Sequence, residues 1–137
     1  MKNKFLVIGC GRLGASIANS ESENGKNVIV IDSDPSSFDR LNDSFSGYKI
    51  TADATDISSL EAAYIKTAEE VSIATGNDNV NLFLAHLCYD VYKVPKIVVR
   101  FNDPDYSALI SGMNIKAIFP FELSLNKFKT LEGGSHK

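Results

Sequence analysis

The chain has no tryptophan, two cysteines, two histidines and four prolines in 137 residues. Cys10 and Cys88 are too few for a disulfide framework and lack the spacing of zinc ligands. A reducing, cytoplasmic setting is therefore expected. No apolar run approaches the roughly 20 residues that span a bilayer, and Met1-Lys-Asn-Lys4 lacks the apolar segment of a secretory signal. An excess of basic charge is also missing: the formal net charge is −3. That balance gives no reason to expect a nucleic-acid partner, whose binders carry a basic face. What remains is an ordinary globular composition, 44% hydrophobic and 23% charged, in a length that suits one domain.

Strand-like and helix-like segments alternate along the chain. Short β-branched runs, apolar on both faces, stand at 5–8, 28–31, 48–51, 71–74, 97–99 and 117–119. That pattern belongs to buried parallel strands. Between them, helices are expected near 12–24, 35–45, 56–64, 78–92 and 104–112. Asp34-Pro35 and Asp103-Pro104 each place a proline at a first helical turn. In 78–92 the apolar residues Val80, Phe83, Leu84, Leu87 and Val91 make one helical stripe. Alternation of this kind implies a single doubly wound, Rossmann-like α/β domain over 1–120, with a six-stranded parallel sheet in the order 3-2-1-4-5-6. A further helix is expected over 121–132, with Phe121, Leu125, Phe128 and Leu131 along one side, and a loose end over 133–137. Such a helix, beyond the last strand, needs a surface for its stripe: its own sheet or a partner.

One stretch carries chemistry. Lys4-Phe-Leu-Val-Ile8 runs into Gly9-Cys-Gly-Arg-Leu-Gly14, a G-x-G-x-x-G loop between a strand and a helix. Gly9 permits the tight turn, Gly11 lets a phosphate approach the backbone, and Gly14 lets the helix pack close. The helix N-terminus offers free N–H groups to phosphates. Asp32 ends the second strand, 23 positions after Gly9, where a carboxylate accepts both ribose hydroxyls. A 2′-phosphate would meet that carboxylate, with Asp34 close by and no arginine directly after the strand, so NADP is not expected. NAD, ATP, ADP and AMP all keep a free 2′-hydroxyl and stay open. Arg12 has two readings, a phosphate contact or a surface arginine paired to a carboxylate.

The rest of the chain offers no catalytic residue. Hydride transfer needs groups that hold a substrate beside the nicotinamide and move a proton. Nothing after residue 120 can build a substrate domain. His86 lies within a helix and His136 in the loose end, while Cys10 and Cys88 read as packing residues.

The ordered set of motifs resembles the RCK N-terminal domain, also called the Trk-type NAD-binding domain, of potassium channel and transporter regulators. The likeness runs through Gly9-Cys-Gly-Arg-Leu-Gly14, Val30-Ile-Asp32, Ala52-Asp-Ala-Thr55 and Leu60-Glu-Ala-Ala63. It continues through Thr75-Gly-Asn-Asp-Asn-Val-Asn81, Val99-Arg-Phe-Asn-Asp-Pro104 and Ile118-Phe-Pro120. The resemblance implies that Asp53 lies beside the adenine, that Thr75 and Gly76 pass under the ligand, and that Arg12 faces phosphates. Candidate nucleotide contacts are thus Gly9, Cys10, Gly11, Arg12, Leu13, Gly14, Asp32, Ser33, Ala52, Asp53, Ala54, Thr75, Gly76 and Arg100. The sequence departs from the family in Ala52, where glycine is frequent, and after the strand-six proline. There Phe121 stands in place of the glutamate that accompanies a divalent cation, and Glu122 comes one position late, a weak metal candidate. The C-terminal ligand-sensing domain usual in the family does not follow.

The implied function is a non-enzymatic, cytosolic nucleotide-sensing subunit that gates potassium transport in response to NAD(H) or ATP/ADP. It would pair into a homodimer or larger ring at the inner membrane face, with a membrane-embedded channel or transporter as partner. The alternatives are the cofactor-binding domain of an NAD-dependent oxidoreductase and an assembly module with a vestigial pocket.

Overall fold

The computed structural model describes residues 3–133. Six parallel strands, β1 (Lys4–Ile8), β2 (Asn27–Asp32), β3 (Tyr48–Thr51), β4 (Glu70–Ile73), β5 (Lys96–Arg100) and β6 (Lys116–Ile118), form one sheet. Their spatial order is β3-β2-β1-β4-β5-β6, the order read from the sequence. Each strand alternates its side chains between two packed layers. Leu6, Ile8, Ile29, Ile31, Val71, Ile73, Ile97 and Val99 face the larger core. Val7, Val28 and Val30 face a smaller one with Ala15 and Ala18. Burial on both faces is why β1, β2 and β4 are largely apolar, whereas β3 at one edge is mostly exposed and carries Lys49 and Thr51.

Four α-helices accompany the sheet: α1 (Arg12–Glu23), α2 (Ile57–Ala62), α3 (Asp78–His86) and α4 (Pro120–Gly133). The helix expected over 35–45 is instead a 3-10 segment, Pro35–Arg40, and that over 104–112 is another, Pro104–Ile110. Both have the proline in the first turn, as expected, and both are capped by the preceding aspartate: Asp34 accepts from Ser36 N and Asp103 from Asp105 N. In the first, Ser36 Oγ also donates to Asp34 Oδ1 and Ser37 Oγ to Asp34 O, local bonds that favour a turn over propagation.

The stripe expected along 78–92 is displaced. The buried residues are Asn81, Leu84, Ala85 and Cys88, whereas Phe83 is 46% and Val91 61% exposed. Beyond His86 the helix widens into a π turn, Leu87–Val91, closed by Tyr92 N donating to Leu87 O at 3.1 Å. The extra residue in that turn moves Val91 out to solvent.

The helix α4 begins one residue before the expected start. Phe121, Leu123, Leu125, Phe128 and Leu131 on it are all exposed, so its apolar side is not folded onto the sheet. Of the loose end expected over 133–137, Gly133 instead closes α4, and 134–137, with His136, lie outside the described residues. No helix among the described residues is long and apolar enough to cross a membrane.

Candidate nucleotide site

The carboxyl ends of β1, β2, β4 and β5, with the turn after β3, surround an open cavity of about 520 Å³. A doubly wound sheet creates a crevice there because the connections from β1 and β4 leave in opposite directions. Gly9, Gly11, Asp32, Ser33, Ala52, Asp53, Ala54, Thr75, Gly76 and Arg100 line it, ten of the residues expected from the sequence.

The other four, Cys10, Arg12, Leu13 and Gly14, serve the site from behind or beside it. Gly9 holds φ +97°, and a Cβ there would stand 2.7 Å from Ala74 O. A Cβ on Gly14 would lie 1.8 Å from Gly9 O, so Gly14 is the point where α1 presses on the loop rather than a wall of the cavity. Cys10 is fully buried with its thiol in the smaller core. Leu13 and Arg12 lie on the first turn of α1, outside the wall, and Arg12 is exposed without an ion-pair partner among the described residues. Glu122 is exposed on the first turn of α4, also outside the wall. No group of three or more metal-ligating side chains occurs among the described residues.

The phosphate cradle fits its expected guest. Gly11 is the N-cap of α1 and supplies no side-chain cap, so first-turn N–H groups keep no partner from the chain. A Cβ on Gly11 or Gly76 would meet nothing within 4 Å, which leaves both backbones approachable from the cavity. Partial positive charge at the helix start favours an anionic group in that space.

The ribose end is built around Asp32. Its Oδ2 accepts Cys10 N at 2.7 Å and its Oδ1 accepts Asp34 N at 2.8 Å. A carboxylate has room for about four hydrogen bonds, so two acceptor sites remain for ribose hydroxyls. Asp53 is held likewise: Oδ1 accepts both Thr55 Oγ1 and Thr55 N, and these bonds stabilise the charged form and lower its pKa from the ordinary carboxylate value. Asp34 is lowered in the same way by Ser36.

Sequence reasoning missed Arg40, Ser37, Asn77, Thr55 and Val80, all of which line the cavity. Arg40 matters most. Its Nη1 reaches Cys10 O at 3.4 Å, so an arginine does stand on the ribose rim, eight positions after Asp32. It was hidden because the Pro35–Arg40 turn folds it back; no spacing rule covers that path. At the opposite end, Arg100 donates Nη2 to Asn102 Oδ1 at 3.1 Å, while its Nε is buried without a partner among the described residues. Neither arginine pairs with a carboxylate within ion-pair distance among the described residues.

Both thiols are quiet. Burial raises Cys10 first, then the nearby Asp32 charge, and burial alone pushes Cys88 up to about 12. His86 sits on α3, bonded to Leu109 O at 3.0 Å and away from the cavity wall.

Comparison with known proteins follows the same outline. Residues 5–120 match the TrkA-N domain family. The chain is 31% identical over 114 residues to the Trk system potassium uptake protein TrkA of Streptomyces coelicolor, covering 83% of this chain and 51% of that protein. It thus spans about half the length of the curated relatives it matches. The fold superposes on the GsuK channel bound to NAD with a TM-score of 0.80 at 24% identity, over 98% of this chain and 24% of that one. It also superposes on the Kef C-terminal domain of Shewanella denitrificans in its AMP-bound form, with a TM-score of 0.74 at 26% identity, over 96% and 82% of the two chains.

Proposed function

The chain belongs to the TrkA-N domain family, and from that premise we propose that it is a nucleotide-binding regulatory domain of a potassium channel or uptake system, with no catalytic step of its own. One observation carries the reading. The glycine cradle, the helix N-terminus and the twice-bonded Asp32 stand around one cavity, whose lining among the described residues holds no histidine, cysteine or lysine beside them. A pocket equipped to hold a nucleotide but not to transform it works through differential binding: ligands that favour different geometries shift an equilibrium elsewhere.

The ligands are NAD(H) or adenosine phosphates. In this reading the first-turn amides of α1 take the phosphates, Asp32 the ribose hydroxyls and Asp53 the adenine side. NADP is disfavoured by the negative charge of Asp32 and Asp34, against which Arg40 acts in part. The NAD-bound and AMP-bound neighbours support both ligand classes. Glu122 is not assigned a cation.

The partners are a second copy of the chain, in a homodimer or larger ring, and a membrane-embedded potassium transporter that brings the domain to the inner membrane face. The exposed apolar side of α4 supports pairing, since a surface of that kind is seldom left in water. Light scattering of the chain and of a version ending at Pro120, each with ADP, tests this. A dimer or larger species is expected at tens of micromolar, reduced on truncation. A full chain that stays monomeric would contradict the pairing.

A further inference from the structure

Asn81, on α3, is the most deeply buried polar residue described, with no exposed surface. An amide in that position is stable only if every polar atom is satisfied. Its Nδ2 donates to Thr75 O at 3.1 Å and to Arg100 O at 2.8 Å. Its Oδ1 accepts Thr75 N at 3.3 Å and Thr75 Oγ1. The whole capacity of one side chain is therefore given to two residues of the cavity wall, one after β4 and one ending β5. Asp78 doubles the link, its carboxylate accepting Asn102 N at 2.7 Å and Asp103 N at 2.9 Å.

The connection continues away from the cavity. Phe101, fully buried between Arg100 and Asn102, donates its N–H to Ile118 O at 3.0 Å. Its ring stacks on Tyr106 at 5.1 Å and lies 6.2 Å from that of Phe119. Phe119 O in turn accepts Leu123 N at 3.1 Å, the first hydrogen bond of α4. From Thr75 to α4 there is no gap in bonded or packed groups.

We infer that Asn81 is a positioning residue that fixes the Thr75 and Arg100 walls as one body and carries nucleotide occupancy to the base of α4. The inference rests on the nucleotide reading above. A ligand seated against Thr75, Gly76 and Arg100 restrains both walls. Asn81 cannot shift relative to either without breaking bonds in the interior, so the restraint passes to Phe101, Phe119 and the first turn of α4. The helix that receives it is the one with its apolar side unpartnered in the single chain.

Hydrogen exchange followed by mass spectrometry tests this on the full chain, on Asn81→Ala and on Asp78→Ala, each with and without millimolar ADP. Asp78 is partly exposed, so its variant keeps the test open if Asn81→Ala fails to fold. In the parent, ADP is expected to slow exchange about threefold or more in segments 9–14 and 32–34, and also in 100–106 and 119–124. In the variants the first pair stays protected, while the second falls to within roughly 1.5-fold of the ligand-free rate. Protection in the parent confined to 9–14 and 32–34 would overturn the inference and leave nucleotide binding standing. Variants that exchange faster everywhere but keep the ADP-dependent difference at 119–124 would overturn it too, since that is a purely structural role. No protection anywhere in the parent would remove the nucleotide reading itself, and the inference with it.

Discussion

The carboxylate of Asp32, at the end of β2, accepts the backbone N–H of Cys10, in the loop after β1, at 2.7 Å. This bond crosses between neighbouring strands and fixes the acceptor before any ligand arrives. With the second bond from Asp34 N, it leaves the carboxylate a single orientation. Preorganisation of this kind removes part of the ordering cost of binding.

Replacing Asp32 by Ala therefore removes two charged acceptors for the ribose and leaves Cys10 N unpaired. Each hydrogen bond to a charged group is worth on the order of 1.5–3 kcal/mol. Calorimetry is expected to show adenine-nucleotide affinity falling about tenfold to a hundredfold or more. Equal affinity in variant and parent would contradict the ribose assignment.

Two glycines separate fold from ligand. In Gly14→Ala the new methyl would stand 1.8 Å from Gly9 O, a backbone atom that cannot swing away. Overpacking of this sort costs about 1–3 kcal/mol or more, and the melting temperature is expected to drop by roughly 5 °C or more. In Gly11→Ala the methyl meets nothing within 4 Å and points into the phosphate space. Its melting temperature without ligand should match the parent within about 2 °C, while nucleotide affinity falls at least about tenfold.

The two rim arginines are expected to differ. Arg12, exposed and outside the wall, acts on a terminal phosphate if it acts at all, so Arg12→Ala lowers affinity for ATP more than for AMP. Arg40 stands beside Asp32 and Asp34. Arg40→Ala is expected to widen the preference for NAD over NADP, measured by competition, because only the carboxylates then face a 2′-phosphate. A narrowed preference would assign Arg40 another part.

The lowered Asp34 and Asp53 set the sign of the acid response. A carboxylate whose folded pKa lies below its unfolded one stabilises the fold fully above the unfolded value, near 3.9. That contribution is lost as pH falls through the lower, folded value. Thermal melts of Asp53→Asn and Asp34→Asn should show a smaller loss of stability between pH 4 and 2 than the parent. The thiols give an independent check: with Cys88 near 12 and Cys10 raised, the native protein is expected to resist thiol reagents at pH 8, and to label twice when denatured.

The sheet was legible because β1, β2 and β4 are buried on both faces and therefore largely apolar, and because the strand–helix alternation and the glycine loop fix the order in which the outer strands join them. Most of the cavity wall was legible for the same reason, since it consists of strand ends. The rest depended on side chains acting against type. Asn81 occupies a core position, so a stripe drawn through apolar residues alone came out rotated toward Phe83 and Val91. Arg40 reaches the cavity through a 3-10 turn that ends at Arg40, where a longer helix through 45 was expected. The stripe of α4 left its own sheet and a partner equally open, and in the single chain it is exposed.

The account stands most directly on whether the chain binds the nucleotides its cavity suits. Isothermal titration with NAD, NADH, ATP, ADP and AMP in parallel, and NADP as the control, measures it in one series. Saturable binding of at least one NAD or adenosine-phosphate ligand in the micromolar range, with NADP about tenfold or more weaker, is the predicted result. No heat from any of the five at millimolar concentration, from protein that melts cooperatively, would contradict it.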